Sequence, residues 1–116
     1  MLSAPHRLVA TRAYQYVYRR GRSLSGQCLR IHVVKGGPGA TQFGIVVSNR
    51  VSKRATERNL LKRRLRAVLR SHIDSIVDGH LVVVAATSRA LHQPYATLHT
   101  ELTALLSKAR ILTPTP

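Results

Sequence analysis

The sequence predicts an α+β domain in the order helix, two or three strands, basic helix, strand, helix. Three observations predict it. Leucines recur at helical spacing in residues 54–71 and again in residues 93–110. Apolar runs of strand character, QFGIVVSN and HLVVVAAT, stand on either side of the first of these segments. A GGPG turn at residues 36–39 separates QFGIVVSN from an earlier strand-like run, LRIHVVK.

Residues 1–8 read as an irregular arm ending in His6-Arg7. Residues 9–20 (VATRAYQYVYRR) suit a short helix, with Thr11 placed to cap its start and Gly21 to close it. Tyr14 and Tyr18, four apart, share a face beside Val17, and Tyr16 points elsewhere. Residues 23–35 read as one strand with Leu29, Ile31 and Val33 on one side. Across the GGPG turn, QFGIVVSN is expected to be its antiparallel partner.

The basic helix is expected from about residue 54 to residue 71, with Leu61, Leu65, Val68 and Leu69 as its buried stripe. Asn59, Lys62, Arg63, Arg66 and Arg70 fall on another arc. Asp78-Gly79 marks a turn, and the all-apolar run at 80–87 suits the centre of a sheet. Joined through the helix, the strands at 43–48 and 80–87 are expected to be parallel neighbours. In residues 93–110, Tyr95, Leu98, Leu102, Leu105, Leu106 and Ala109 are expected to face inward, and residues 113–116 to form a frayed tail.

Charge supplies the functional reading. The 116 residues carry 19 Lys and Arg against 4 Asp and Glu, a formal charge of +15. In residues 43–70 the cations Arg50, Lys53, Arg54, Arg58, Lys62, Arg63, Arg64, Arg66 and Arg70 oppose Glu57 alone. So dense a cationic surface repels itself unless a polyanion neutralises it, which points to nucleic acid. With 44% hydrophobic residues the chain is expected to fold, residues 1–112 forming one RNA-binding domain. Cys28 is the sole cysteine, so no intramolecular disulfide is possible and a reducing cytoplasm is the natural setting. No apolar run approaches the ~20 residues that span a bilayer, and the amino terminus lacks a signal-peptide core.

No catalytic or metal site is expected in the protein. The acids Glu57, Asp74, Asp78 and Glu101 lie in separate segments, and the six His show no ligand-like spacing. A DNA-reading helix-turn-helix would need a helix before the basic one, where the sequence reads as strand. A membrane-surface helix fits poorly with the surrounding sheet pattern.

Tyr14, Tyr18, Arg19, Arg20, Gly21 and Arg22, then Gly44 to Ser48 followed by Arg50, then Glu57-Arg58-Asn59-Leu60-Leu61-Lys62-Arg63, and finally the Asp-Gly-x-Leu-Val-Val strand appear in one order and spacing. In these the chain resembles the protein subunit of bacterial ribonuclease P over nearly its full length. The resemblance implies a compact two-layer α/β sandwich like a ribosomal-protein domain, with an unusual left-handed β-α-β crossover. It implies a 1:1 complex with a catalytic RNA that removes the 5′ leader of precursor tRNA, with Mg²⁺ used by the RNA–protein holoenzyme. The catalytic RNA would meet Arg50, Lys53, Arg54, Arg58, Asn59, Lys62, Arg63, Arg66 and Arg70. The leader would lie in a cleft between the first helix and the sheet, near Tyr14, Tyr18, Arg19, Arg22, Arg30 and His32. Aromatic pairs at this spacing are commonly core, yet the surrounding arginines suit stacking of unpaired bases. Leu60 departs from the pattern, standing where the family usually has Arg, with Arg64 one turn later as a candidate substitute. A structural ribosomal or RNA-chaperone protein is the alternative, differing by indifference to a 5′ extension.

Overall fold

The computed structural model describes residues 6–8 and 10–113. Among them are helices α1 (Thr11–Arg20), α2 (Ala55–Ser71) and α3 (Tyr95–Lys108), and strands β1 (Arg22–Ser25), β2 (Leu29–Lys35), β3 (Gln42–Val46) and β4 (His80–Ala86). The mixed α+β order is the one expected. The strands form one sheet in the order β1-β2-β4-β3, with β3 and β4 parallel and the other pairs antiparallel.

The expected pairing of LRIHVVK with QFGIVVSN does not occur, because β4 lies between them. The cause is the apolar character of β4 on both faces. Val82 and Val84 enter one hydrophobic cluster and Val83 the other, so β4 needs cover on both sides. The glycine loop therefore closes no hairpin but runs past the start of β4. Gly36 N–H donates to Gly79 C=O at 2.8 Å and Gly79 N–H to Gly39 C=O at 2.9 Å. Gly39 and Gly79 take φ of +110° and +89°, a region that side chains disfavour.

The single strand expected over residues 23–35 is two, parted by a bend at Gly26–Cys28. Glu101 of α3 fixes that bend, its carboxylate accepting N–H bonds from Gln27, Cys28 and Leu29 at 3.0, 2.9 and 2.6 Å. Cys28 is buried there with its Sγ 3.6 Å from Arg89 C=O. Burial pushes its thiol up, the Glu101 charge adds to the rise, and Arg89 opposes it.

Strand parity divides the core. Leu29, Ile31 and Val33 pack with Leu61, Leu65, Val68 and Leu69 of α2 and Leu98, Leu102, Leu105 and Leu106 of α3. On the opposite face Val17 of α1 packs with Leu8 and Val83. The sandwich is thus a full helical layer on one side of the sheet and a single short helix on the other. Gly21 is required after α1 because a Cβ there would strike Val17 C=O and approach Val33 C=O to 2.9 Å.

Several terminal expectations change. Thr11 is not the cap of α1; Ala10 holds that position, and no side chain bonds the first turn. Tyr95 opens α3 and remains 40% exposed, so the inward stripe begins at Leu98. The end of the arm is anchored: Leu8 N–H donates to Phe43 C=O at 2.8 Å and Arg7 bridges Phe43. Thr113, expected in the frayed tail, donates its N–H to Ser75 C=O at 2.7 Å. The rest of that tail and arm, residues 114–116 and 1–5, lies outside the described residues.

Candidate nucleic-acid interface

The α1-facing side of the sheet is built in rows. Register places Ser23, His32, Val83 and Gly44 in one row across all four strands, and Ser25, Arg30, Ala85 and Val46 in the next. Tyr18 stands over His32, and Tyr14 lies so close over Gly44 that a Cβ there would strike its ring. The second row runs beside the helix as a groove floor, with the two tyrosines forming its wall. Glycine inside an apolar strand is the sequence sign of such a close approach.

The tyrosines differ. Tyr14 is half-buried and its hydroxyl donates to Leu8 C=O at 3.1 Å, so it has a core role as well as a groove edge. Burial raises its phenol and the Arg66 charge partly offsets this. Tyr18 is 46% exposed, which leaves ring surface open for stacking. His32 Nδ1 lies 3.1 Å from Ser23 Oγ, and Arg30 Nε donates to Ser25 Oγ at 3.1 Å. Burial, reinforced by Arg30, holds the His32 imidazole below its ordinary range.

Of the residues expected along the cleft, Tyr14, Tyr18, Arg30 and His32 come together. Arg19 is exposed at the end of α1, turned from the groove's centre. Arg22 is not brought there: opposite Val33 it faces the other side of the sheet, where its guanidinium donates to Ala109 C=O at 2.7 Å. That bond holds the end of α3, and its cause is parity, since neighbouring strand residues point to opposite faces.

The basic helix presents Asn59, Arg63 and Arg70 exposed and Lys62 and Arg66 half-exposed, with Arg50, Lys53 and Arg54 exposed just before it. Arg58 is half-buried and donates to Ser52 C=O at 3.0 Å. The helix's single acid is turned to its own start, Glu57 Oε1 accepting from Ser52 Oγ at 2.5 Å. Its negative charge therefore leaves the Asn59–Arg70 arc uncompensated. Arg66 joins the two surfaces by lining, with Arg7, Leu8, Tyr14, Gly44 and neighbours, a cleft of about 220 Å³. Sequence reading assigned Arg66 to the helix face alone. Its place beside Tyr14 depends on how α2 packs over β3.

Leu60 is 41% exposed beside Leu91 and His92, and core packing does not account for it. Arg64 donates to Gln93 C=O at 2.9 Å and so ties α2 to the segment before α3. Among the described residues no three His, Cys, Asp or Glu side chains gather as a metal site, and no helix is long and apolar enough to cross a membrane.

A family model described as Ribonuclease P matches residues 2–110. The chain is 39% identical over 105 residues to the ribonuclease P protein component of a Nocardioides species, covering 88% of this chain and 89% of that protein. It is 34% identical over 112 residues to that of Rippkaea orientalis, covering 92% and 88%. The solved ribonuclease P protein of Thermotoga maritima superposes with a TM-score of 0.80 at 27% identity, over 88% of this chain and 96% of that one. That of Staphylococcus aureus shares the fold, with a TM-score of 0.84 at 21% identity over 93% and 98%. A tyrosine-walled groove meeting a cationic helix thus sits on a shared fold with full-length kinship, and the chain belongs to the ribonuclease P protein component family.

Proposed function

We propose that this protein binds the catalytic RNA of ribonuclease P through α2 and the 5′ leader of precursor tRNA through the α1 groove. The observation that carries the reading is the junction at Arg66, where the tyrosine wall and the cationic arc become one surface. A leader entering the groove then lies beside the RNA that cuts it. Its bases stack on Tyr18 and Tyr14 without regard to sequence, which suits leaders that differ between tRNAs. Arg30 and His32 meet phosphate or base edges from the floor. Arg50, Lys53, Arg54, Arg58, Asn59, Lys62, Arg63, Arg66 and Arg70 neutralise phosphates of the catalytic RNA, letting it fold and recruit Mg²⁺ at lower concentration.

Phosphodiester hydrolysis belongs to the RNA in this reading, and the protein contributes binding. It works as one protein per RNA in the cytoplasm, with residues 1–112 acting as one domain. The test is cleavage of precursor tRNA by a bacterial ribonuclease P RNA at low Mg²⁺, with and without the protein. Mature 5′ ends are expected only when both are present. Cleavage by protein alone would place an active site in the chain, and tight RNA binding without stimulation would favour a ribosomal or chaperone role.

A further inference from the structure

The outward side of α1 is chemically as well equipped as its inward side. Successive helical residues turn by about 100°, so Tyr16 points away from both Tyr14 and Tyr18. Arg12, Arg19 and Arg20, at i−4, i+3 and i+4, fall within about 60° of it on the same arc. All four residues are exposed, Tyr16 at 45%.

Neither helix stability nor packing explains this set. Arg12 sits in the first turn, where the positive end of the helix dipole disfavours a cation, and that turn holds no acid. Tyr16 is a poorer helix former than alanine, and its ring meets no other ring of the described residues. The chain's acids are placed elsewhere: Glu57 on Ser52, Glu101 on the 27–29 backbone, Asp74 and Asp78 in turns before β4. An exposed aromatic ring among three uncompensated guanidiniums has the chemistry that grips unpaired nucleic acid.

Position identifies the occupant. Tyr18 ends the groove wall, and Arg19 and Arg20 follow at once in the last turn of α1. Beyond it the chain turns at Gly21 into β1, the edge of the sheet. A strand leaving the groove past Tyr18 therefore meets no further sheet and can bend around the end of α1. We propose that the distal part of the 5′ leader wraps that end and stacks on Tyr16 between Arg19, Arg20 and Arg12, so that α1 is gripped on both sides. This rests on the leader-binding reading above.

The test measures affinity of the reconstituted holoenzyme for precursors with leaders of about five and about twelve nucleotides, the shorter filling only the groove. Tyr16→Ala is expected to weaken the longer substrate about tenfold and to leave the shorter one and mature tRNA unchanged. Arg19→Gln with Arg20→Gln is expected to lower the salt slope of long-leader binding by about two. Equal losses for both lengths would mean that this face meets the catalytic RNA, and no loss for either would mean that it meets no RNA. Both results overturn the proposal. Tyr18→Ala, run alongside, is expected to weaken both leaders. If it has no effect while Tyr16→Ala keeps its length dependence, the groove reading alone falls.

Discussion

Tyr18 of α1 stands edge-on to His32 of β2, with ring centroids 4.7 Å apart and planes inclined by 65°. One tyrosine edge is thereby used to seat the helix on the sheet, while 46% of the residue stays open.

Removing that ring separates binding from folding. Tyr18→Ala is expected to cost about tenfold in affinity for leader-bearing substrate and to spare mature tRNA. Stability should fall by no more than about 1 kcal/mol, because the site is largely at the surface. Thermal melting beside filter binding checks both. A collapse in melting temperature would assign Tyr18 to the core.

The imidazole partner makes the groove sensitive to acid. The folded midpoint of His32 lies below its ordinary 6.5, chiefly through burial and then through Arg30. The unfolded chain thus binds the proton more readily, so this contribution to stability is full above pH 6.5 and is lost as pH falls through the folded midpoint. His72 is shifted in the same direction by burial and by His99. Leader phosphates should draw the His32 midpoint upward, making leader binding tighter as the pH falls. NMR titration of the ring with and without a leader oligonucleotide reads both values. A free-protein midpoint at or above 6.5 would contradict the burial argument.

Arg22 and Arg30 should behave oppositely despite their similar sequence settings. Arg22→Met removes the guanidinium bond to Ala109 C=O and is expected to cost about 1–2 kcal/mol of stability with leader affinity unchanged. Arg30→Met is expected to weaken the leader and leave the melting temperature nearly constant. Urea denaturation and binding on the two variants decide the matter.

Salt dependence measures the helix face. Lys62→Ala and Arg63→Ala are each expected to lower the slope of log affinity for the catalytic RNA against log salt by about one. Both side chains lie off the buried stripe, so circular dichroism should be unchanged. An unaltered slope would move the RNA contact off this arc.

Glu101 is expected to matter to folding rather than to RNA. Glu101→Ala leaves the N–H groups of Gln27, Cys28 and Leu29 without their acceptor and should cost about 2 kcal/mol or more. Glu101→Gln, which keeps a carbonyl oxygen, should recover part of this. Equal stability of both variants with the native chain would show that water replaces the carboxylate.

Local chemistry was legible in the sequence, and long-range arrangement was not. The stripe Leu61, Leu65, Val68 and Leu69 follows from a period of 3.6, and all four are buried. Parallel β3 and β4 follow from the helix that joins them. The insertion of β4 between β2 and β3 was hidden because the GGPG loop imitates a hairpin, whereas Ile31 finds its partner at Val84. In the candidate site, the aromatic pair and the basic arc could be named from spacing. The opposed directions of Arg22 and Arg30 could not, because the bend at Gly26–Cys28 breaks the single alternating strand that residues 23–35 suggest. Arg66 likewise reached Tyr14 through the crossing of α2 over β3, which no periodicity encodes.

The buried Cys28 turns the bend between β1 and β2 into a clock. Thiol reagents attack the thiolate, and burial together with the Glu101 charge suppresses that form while the clasp is closed. Each alkylation of the native chain then counts one local opening at the sheet edge, since no second thiol contributes signal. A bound RNA that slows the reaction does so by holding this edge shut, and the ratio of the two rates gives the stabilisation delivered there.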